Sequence, residues 1–224
     1  MKTFAIIPVK RFENGKSRLG AFLNVRQRVI LCELLLERTL KILKTTSSIH
    51  EIVIVSNDKT AKQIGNKYGA IFLEEDRDSG VNSAVILADK YCRSANAYET
   101  VVVPTDLPLV LPEDIDIVCA SAMREQKCLV VCPSYKYDGS NVLLRKPGML
   151  IKTYYEENSF RRHILAAIRK SAKVKVLFID RLMMDIDTPQ DVENLEFRFE
   201  SDDAILSFLK EHQKERVGNK SHYF

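Results

Sequence analysis

Short apolar runs alternate with segments of helical periodicity along almost the whole chain. Several of these runs are continuously apolar, which is typical of strands covered on both faces of a sheet. We predict seven strands, at 4–9, 51–56, 70–73, 100–104, 128–133, 141–145 and 174–180. We predict helices at 25–44, 79–91, 113–126, 160–171 and 189–198, and a last helix that starts at Ser201.

Helix-start signals support this division. Asn24 and Gln27 have the spacing of a capping box, and Thr188-Pro189 has the chemistry of an N-cap followed by the first helical residue. The pattern predicts one α/β domain over 1–200 with a mostly parallel sheet flanked by helices. Within it, 134–160 has the character of an insertion or hairpin. A C-terminal helix and a loose tail make up 201–224.

Composition narrows the class of protein. The 224 residues are 46% hydrophobic and 29% charged, which is typical of a globular protein, and the net charge of +4 is too small to indicate nucleic acid or membrane binding. The five cysteines lack CxxC spacing, so we interpret them as small buried residues in a reducing compartment. The apolar start is too short for a signal peptide, and no run is long enough to span a bilayer. We therefore expect a cytoplasmic protein.

The stretch PVKRFENGKSRLG follows the first predicted strand, where ligands bind in parallel sheets. Its Gly-Lys-Ser matches the end of a Walker P-loop, but Lys10 stands where the first glycine belongs, and the next helix cap comes only at Asn24. Four cations within 10–18 favour a polyanionic ligand neutralised by side chains. The alternative is a solvated basic loop.

Acidic residues follow two other predicted strands. Asp106 lies in TDLPL, and Asp185 and Asp187 lie two apart in MDIDTP, where extended backbone puts them on one face. Asp106 and Asp187 would supply two hard oxygen ligands, which suits Mg²⁺. The alternatives are a turn-forming Asp before proline and helix capping by Thr188, although capping does not require Asp187.

Two further polar segments open helices. Asn82, in DSGVNSA, could meet a base or ribose or could belong to a plain helix cap. Asn158 and Ser159 begin another helix and could hold a phosphate or carboxylate. His163, one turn further along, could be structural or functional.

The order of these motifs is PVK-x5-KSRL, SGxNxA, PTDLPL, DGSN, NSFxxH and DIDTP. Over about residues 3–198 it resembles the 2-phospho-L-lactate guanylyltransferases of coenzyme F-420 biosynthesis, the CofC family. The resemblance implies a single Rossmann-like domain of the nucleotide-diphosphosugar transferase (GT-A-like) fold. It also implies transfer of GMP from GTP to 2-phospho-L-lactate, with Mg²⁺, in a homodimer.

The resemblance assigns roles by position. It implies that the nucleotide-triphosphate loop contains Pro8, Lys10, Lys16, Ser17 and Arg18, and that the metal-binding carboxylates are Asp106 and Asp187. It also implies that the nucleoside-binding turn contains Asn82 and that the phospho-acid is contacted by Asn141 and Ser159. Lys16, Arg18, Asp106 and Asp187 would be catalytic.

Two departures from the family pattern leave the acceptor open. Gly139-Ser140-Asn141 stands where the family often has Gly-Thr-Asn, and Glu156-Glu157 replaces a glycine before the Ser159 helix. Phospholactate, phosphoenolpyruvate and a glycerate analogue are therefore all candidates. A sugar phosphate or molybdopterin acceptor stays open too, as does a non-catalytic GTP-binding regulator, although the intact acidic pair argues against the regulator.

Overall fold

A single seven-stranded sheet organises the fold in a computed structural model, which describes residues 2–196 and 204–220. The strands are β1 Thr3–Pro8, β2 Glu51–Ser56, β3 Ile71–Glu74, β4 Glu99–Val102, β5 Cys128–Pro133, β6 Ser140–Lys146 and β7 Lys173–Val176. Their order across the sheet is β3-β2-β1-β4-β6-β5-β7. Only β6 runs antiparallel to its neighbours, so the predicted mostly parallel sheet is confirmed.

Helices cover both faces of the sheet. They are α1 Val25–Thr45, α2 Lys59–Lys67, α3 Val81–Ser94, α4 Pro112–Ala122, α5 Ser159–Ile168, α6 Asp180–Met183, α7 Pro189–Glu196 and α8 Ala204–Lys220. The predicted start at Ser201 lies outside the described residues, as do 221–224 of the predicted tail. Residues 217–220, which the sequence assigned to that tail, are helical.

The predicted capping box opens α1 as expected. The side chain of Asn24 accepts from the Gln27 amide at 3.0 Å, and the side chain of Gln27 accepts from the Asn24 amide at 2.9 Å. The sequence missed α2, because its fully buried positions are only Ala61 and Gly65. Such a short polar helix has no stripe of large apolar residues to reveal it.

Two apolar clusters form the core, one on each face of the sheet. Ala5 and Ile7 of β1 belong to one cluster, while Phe4 and Ile6 belong to the other, as the period of two along a strand requires. The cysteines are free, and four of the five are buried, as expected. No helix in the described ranges has the length and apolarity needed to cross a membrane.

A buried ion pair ties three elements together. Arg145 of β6 is fully buried, and its guanidinium donates to the carboxylate of Asp89 in α3 at 2.6 and 2.9 Å. It also donates to the hydroxyl of Thr100 in β4 at 3.0 Å. One charged side chain therefore joins the sheet to the helix that covers it.

The reversed direction of β6 determines what meets at the functional edge. The carboxyl ends of β1, β4 and β5 lie at one edge of the sheet, and because β6 is antiparallel, its first residue Ser140 lies there too. Of the segment 134–160, which we expected to be an insertion or hairpin, β6 pairs with the preceding β5 and lies inside the sheet, between β4 and β5.

Candidate active site

A cleft of about 1110 Å³ lies at this edge of the sheet. Its size exceeds that of most single-ligand pockets, so it has room for a nucleotide and a second small molecule. It is lined by the loop after β1, by Thr105 and Asp106, by the β5–β6 turn, by the start of α5, and by residues between Met183 and Asn194.

The loop after β1 is more ordered than the sequence suggested. It contains two short 3-10 turns, Phe12–Asn14 and Ser17–Leu19, and both Phe12 and Leu19 are buried. We expected no helix to begin directly after Ser17, and the structure has a single 3-10 turn there, Ser17–Leu19. The first α-helix does wait until α1, so the phosphate-binding helix of a Walker site is absent from this loop.

Side chains from two helices fix the loop in place. Asp58, which caps α2, accepts a hydrogen bond from the Phe12 amide at 2.9 Å. Arg28 of α1 donates to the Gly15 carbonyl at 3.1 Å. A side chain at Gly15 would place its Cβ only 2.7 Å from the sulfur of Cys32, so the loop can lie this close to α1 only with glycine there.

Lys16 turns inward from this loop. Its backbone is left-handed, with φ 50° and ψ 36°, and only 9% of its side chain is exposed. Its ammonium donates to Asp106 Oδ2 at 3.0 Å and to Asp187 Oδ1 at 2.8 Å. Burial alone would lower the pKa of Lys16, but the two carboxylates outweigh burial and raise it above its ordinary value. The side chain therefore carries a fixed positive charge.

The two acidic segments are joined through their backbones. The Ile186 amide donates to the Asp106 carbonyl at 3.0 Å, which places Asp187 beside Asp106 although 81 positions separate them in the chain. Burial opposes ionisation of Asp187, but Lys16, Arg18 and Lys10 lower its pKa. The structure thus brings Asp106 and Asp187 together, and their binding of a metal ion stays a prediction.

Asp185 is a third carboxylate at this site. Burial, reinforced by Asp106 and Asp187, raises its pKa to about 6, while the Asn141 amide at 3.4 Å opposes the shift. The sequence predicted that Asp185 and Asp187 share a face, but it assigned a role only to Asp187. The fold brings Asp185 near Asp106 as well as Asp187, which the sequence spacing alone could not establish.

The other predicted cations stand at the rim of the cleft. Arg18 is 76% exposed and lies 3.9 Å from Asp187, while Lys10 is exposed and also lines the cleft. Pro8 and Ser17 line it as well. The three cations assigned to the triphosphate are therefore one buried ammonium, Lys16, and two exposed side chains, Lys10 and Arg18.

Carboxylate oxygens are the ligands that Mg²⁺ prefers, so the donor chemistry of Asp106, Asp185 and Asp187 fits this ion. As they stand, no three carboxylate, imidazole or thiol groups in residues 2–196 and 204–220 converge on one metal position. At this site the Lys16 ammonium lies between Asp106 and Asp187, where a cation would bind.

The opposite wall of the cleft carries the predicted acceptor residues. Asn141 Nδ2 donates to the Leu182 carbonyl at 2.9 Å, and Ser159 Oγ accepts from the Ser140 amide at 2.8 Å. Both side chains are buried but line the cleft. The structure brings them to one wall, and their contact with an acceptor stays a prediction.

Asn82 and His163 are engaged in holding the segment between β6 and α5. Asn82 Oδ1 accepts from the Tyr155 amide at 2.8 Å, and its neighbour Val81 lines the cleft instead. Contact of Asn82 with a nucleoside therefore stays a prediction. His163 is buried, with Nε2 accepting from the Tyr154 amide at 2.8 Å and Nδ1 bonded to the Ser140 hydroxyl at 2.9 Å. It is structural.

Comparison with known proteins agrees with this architecture. A family described as guanylyl transferase CofC like matches residues 3–215. A phosphoenolpyruvate guanylyltransferase of Conexibacter woesei is 30% identical over 195 residues, which is 87% of each chain. A 2-phospho-L-lactate guanylyltransferase of Methanobrevibacter smithii is 27% identical over 221 residues, which is 96% of each chain.

A solved structure from Desulfovibrio desulfuricans G20, assigned as a nucleotide-diphospho-sugar transferase, superposes with a TM-score of 0.76. It is 14% identical and covers 96% of both chains, so it supports the fold alone. The expected nucleotidyltransferase fold is confirmed. Because the family match spans nearly the whole chain, including both acidic segments and the basic loop, the chain belongs to the CofC-like guanylyl transferases, which are nucleotidyltransferases.

Proposed function

We propose that the protein transfers GMP from GTP to the phosphate of 2-phospho-L-lactate, giving lactyl-2-diphospho-5'-guanosine and pyrophosphate in coenzyme F-420 biosynthesis. The observation that carries the proposal is the buried Lys16 ammonium between Asp106 and Asp187, with Lys10 and Arg18 beside it. The cleft has room for two ligands and carries both positive and negative side chains. This arrangement suits a triphosphate that releases pyrophosphate.

The reaction balances without a protein nucleophile. A phosphate oxygen of the acceptor attacks the α-phosphorus of GTP, and the bond from that phosphorus to the oxygen bridging to the β-phosphate breaks. Pyrophosphate leaves with the electron pair. Because the acceptor phosphate is already anionic at neutral pH, no general base is needed, and positioning and charge stabilisation supply the catalysis.

Three cations of the chain stabilise the charge that develops. Lys16 and Arg18 neutralise the departing pyrophosphate, and Lys10 neutralises the α-phosphate. A lysine ammonium is charged at neutral pH, which suits Lys16 to this role.

We infer that Mg²⁺ would be held by Asp106 and Asp187, with Asp185 as a third oxygen donor. The ion would supply neutralisation of charge on the α-phosphate and the leaving group. Lys16 then has to give up its place between the two carboxylates, and its ammonium turns to the phosphates instead.

Phosphoenolpyruvate is the second candidate acceptor, because the Conexibacter woesei relative is named for it. The two acids share a carboxylate and a phosphate but differ at the carbon between them, which is tetrahedral in one and planar in the other. We propose that Asn141, Ser159 and the first turn of α5 contact the acceptor.

Pyrophosphate release tests the proposal directly. Each of the four nucleoside triphosphates is incubated with 2-phospho-L-lactate, phosphoenolpyruvate or a sugar phosphate. Release from GTP that requires one of the two phospho-acids is expected, and Asp106→Asn serves as the slowed control. Release only with a sugar phosphate contradicts the proposal, and GTP binding with no release under any condition points to the regulator.

The cellular setting is also part of the proposal. The free thiols are typical of a reducing compartment, which supports the cytoplasm. A homodimer, implied by the family resemblance, is tested by light scattering, and a mass of about 26 kDa in solution would contradict it.

A further inference from the structure

A third apolar cluster lies apart from the two that cover the sheet. Twelve buried residues form it, and they come from six parts of the chain. They are Leu19 and Leu23 after the basic loop, Leu31 and Leu35 of α1, Leu109, Met184 and Ile186, and, from the last two helices, Val192, Leu195, Ile205, Leu206 and Leu209.

The members of this cluster flank the charged residues of the site. Leu19 directly follows Arg18, Leu109 lies three positions after Asp106, and Ile186 separates Asp185 from Asp187. Each of the three segments that carry charged residues of the site therefore contributes a buried side chain to the same small core. A displacement in that core moves all three segments, because close-packed interiors transmit strain.

Helix α8 contributes one face to this core. Ile205, Leu206 and Leu209 are 2%, 2% and 0% exposed, and their spacing places them on one side of the helix. Ser207 and Lys210, on the other side, are exposed. On α1, Leu31 and Leu35 belong to this cluster, whereas Leu36, Leu40 and Leu43 belong to the core on one face of the sheet.

We propose that α8 is a positioning element of the active site. Its side chains hold the basic loop and the two acidic segments in register, so that the Lys16 ammonium lies between the carboxylates. The Ile186–Asp106 backbone hydrogen bond is the link on which this register depends. Only the kinetic consequence of the inference rests on the proposed function.

Hydrogen–deuterium exchange on the full chain tests the inference without reference to catalysis. Leu209→Ala opens the third cluster, and Leu129→Ala removes an equally buried leucine from the core on one face of the sheet. In Leu209→Ala, the peptides spanning 17–24 and 182–188 are expected to exchange about tenfold faster than in the wild type. In Leu129→Ala, the same peptides are expected to change less than about twofold.

Kinetics provide the second readout. The kcat for pyrophosphate release is expected to fall about tenfold in Leu209→Ala, because small misplacements of catalytic groups have large effects on rate. The conservative Leu209→Met is expected to restore kcat to within about threefold, and Leu129→Ala to retain it within the same margin. If Leu209→Ala does not fold, Ile205→Val, which removes a single methylene, replaces it in both measurements.

The two proposals fail differently. Equal exchange in the two catalytic segments for Leu209→Ala and Leu129→Ala would overturn the role of α8, whatever the enzyme does. Absence of pyrophosphate release by the wild type would overturn the proposed function and leave the exchange result to decide this inference.

Discussion

Lys16 combines an unfavourable backbone with a favourable charge environment. A non-glycine residue in the left-handed region costs about 1–2 kcal/mol. Each of its two charge-assisted hydrogen bonds contributes about 1.5–3 kcal/mol. The hydrogen bonds to the two carboxylates offset this backbone strain, and burial of the ammonium opposes them.

Removing the Lys16 ammonium should free the carboxylates for a divalent cation. We predict that Lys16→Met increases the affinity of the nucleotide-free protein for Mn²⁺ at least about tenfold, because ammonium and metal compete for the same oxygens. The measurement is titration of free Mn²⁺ by electron paramagnetic resonance, which does not depend on turnover.

The matched control is Arg18→Met, which removes an equal charge near Asp187 from a side chain that is 76% exposed. Solvent screens such a charge, so its removal should change Mn²⁺ affinity less than about threefold. Equal effects of both variants would mean that net charge, and not occupancy of the carboxylates, controls metal binding.

The charges of Asp106 and Lys16 should also control the rate of pyrophosphate release. Asp106→Asn and Lys16→Ala are each predicted to slow pyrophosphate release at least about tenfold, which equals about 1.4 kcal/mol of transition-state stabilisation. Glu13→Gln, in the same basic loop but 64% exposed, should retain the rate within about threefold. Near-normal turnover by either site variant would remove that residue from the scheme.

Among the elements, α5 depends on a neutral histidine. Because Nε2 of His163 accepts from the Tyr154 amide, Nδ1 carries the ring proton and donates to Ser140 Oγ. The imidazole thus fastens α5 to β6 and to the segment before it. Burial, with smaller contributions from Arg145 and Arg162, lowers the pKa of His163 from 6.5 to about 3.

This pKa predicts how stability depends on pH. The folded state resists protonation, while the unfolded state takes up a proton below pH 6.5, so the contribution of His163 is complete above pH 6.5 and is lost as the pH falls towards 3. We predict that between about pH 7 and about pH 5 the wild type loses about 2 kcal/mol more unfolding free energy than His163→Gln. Urea unfolding at both pH values measures the difference, and parallel losses in the two proteins would contradict the prediction.

At the scale of the whole molecule, the Arg145–Asp89 pair joins the middle of the sheet to α3. Asp89→Asn leaves the buried guanidinium without a counterion, so we predict a loss of about 3–5 kcal/mol in unfolding free energy. Glu74→Gln breaks the ion pair between Lys62 and Glu74, whose side chains are 50% and 69% exposed. It should lower the unfolding free energy by less than about 1 kcal/mol. Urea titration compares the two variants, and similar small losses would show that the buried charge finds another partner.

The sequence was informative where one chemical signal determines one local structure. Apolar runs located all seven strands, although the last was predicted over 174–180 and β7 ends at Val176; Asn24, Pro112 and Ser159 marked helix starts that the structure confirms. Motif order also identified the basic loop and the acidic pair.

Long-range geometry was beyond the reach of the sequence. Nothing in the sequence shows that the Lys16 side chain turns inward, because this depends on carboxylates 90 and 171 positions away. The anchoring of the loop by Asp58 and Arg28 likewise depends on how distant helices pack. The bond from Tyr155 to Asn82 appears only once the 147–158 segment is placed.

Because β6 is antiparallel, two separate parts of the chain supply the proposed nucleotide-binding and acceptor-binding residues. The basic loop and Asp106 follow β1 and β4, whereas Asn141 and Ser159 come from the hairpin and the helix that the reversed strand brings to the same edge. Substitutions within 134–160 therefore act first on the proposed acceptor contacts, although Asn141 and Tyr155 of this segment also contact Asp185 and Asn82. We expect relatives with different acceptors to have diverged mainly in this one segment, so that a new metabolic product requires the evolution of only part of the enzyme.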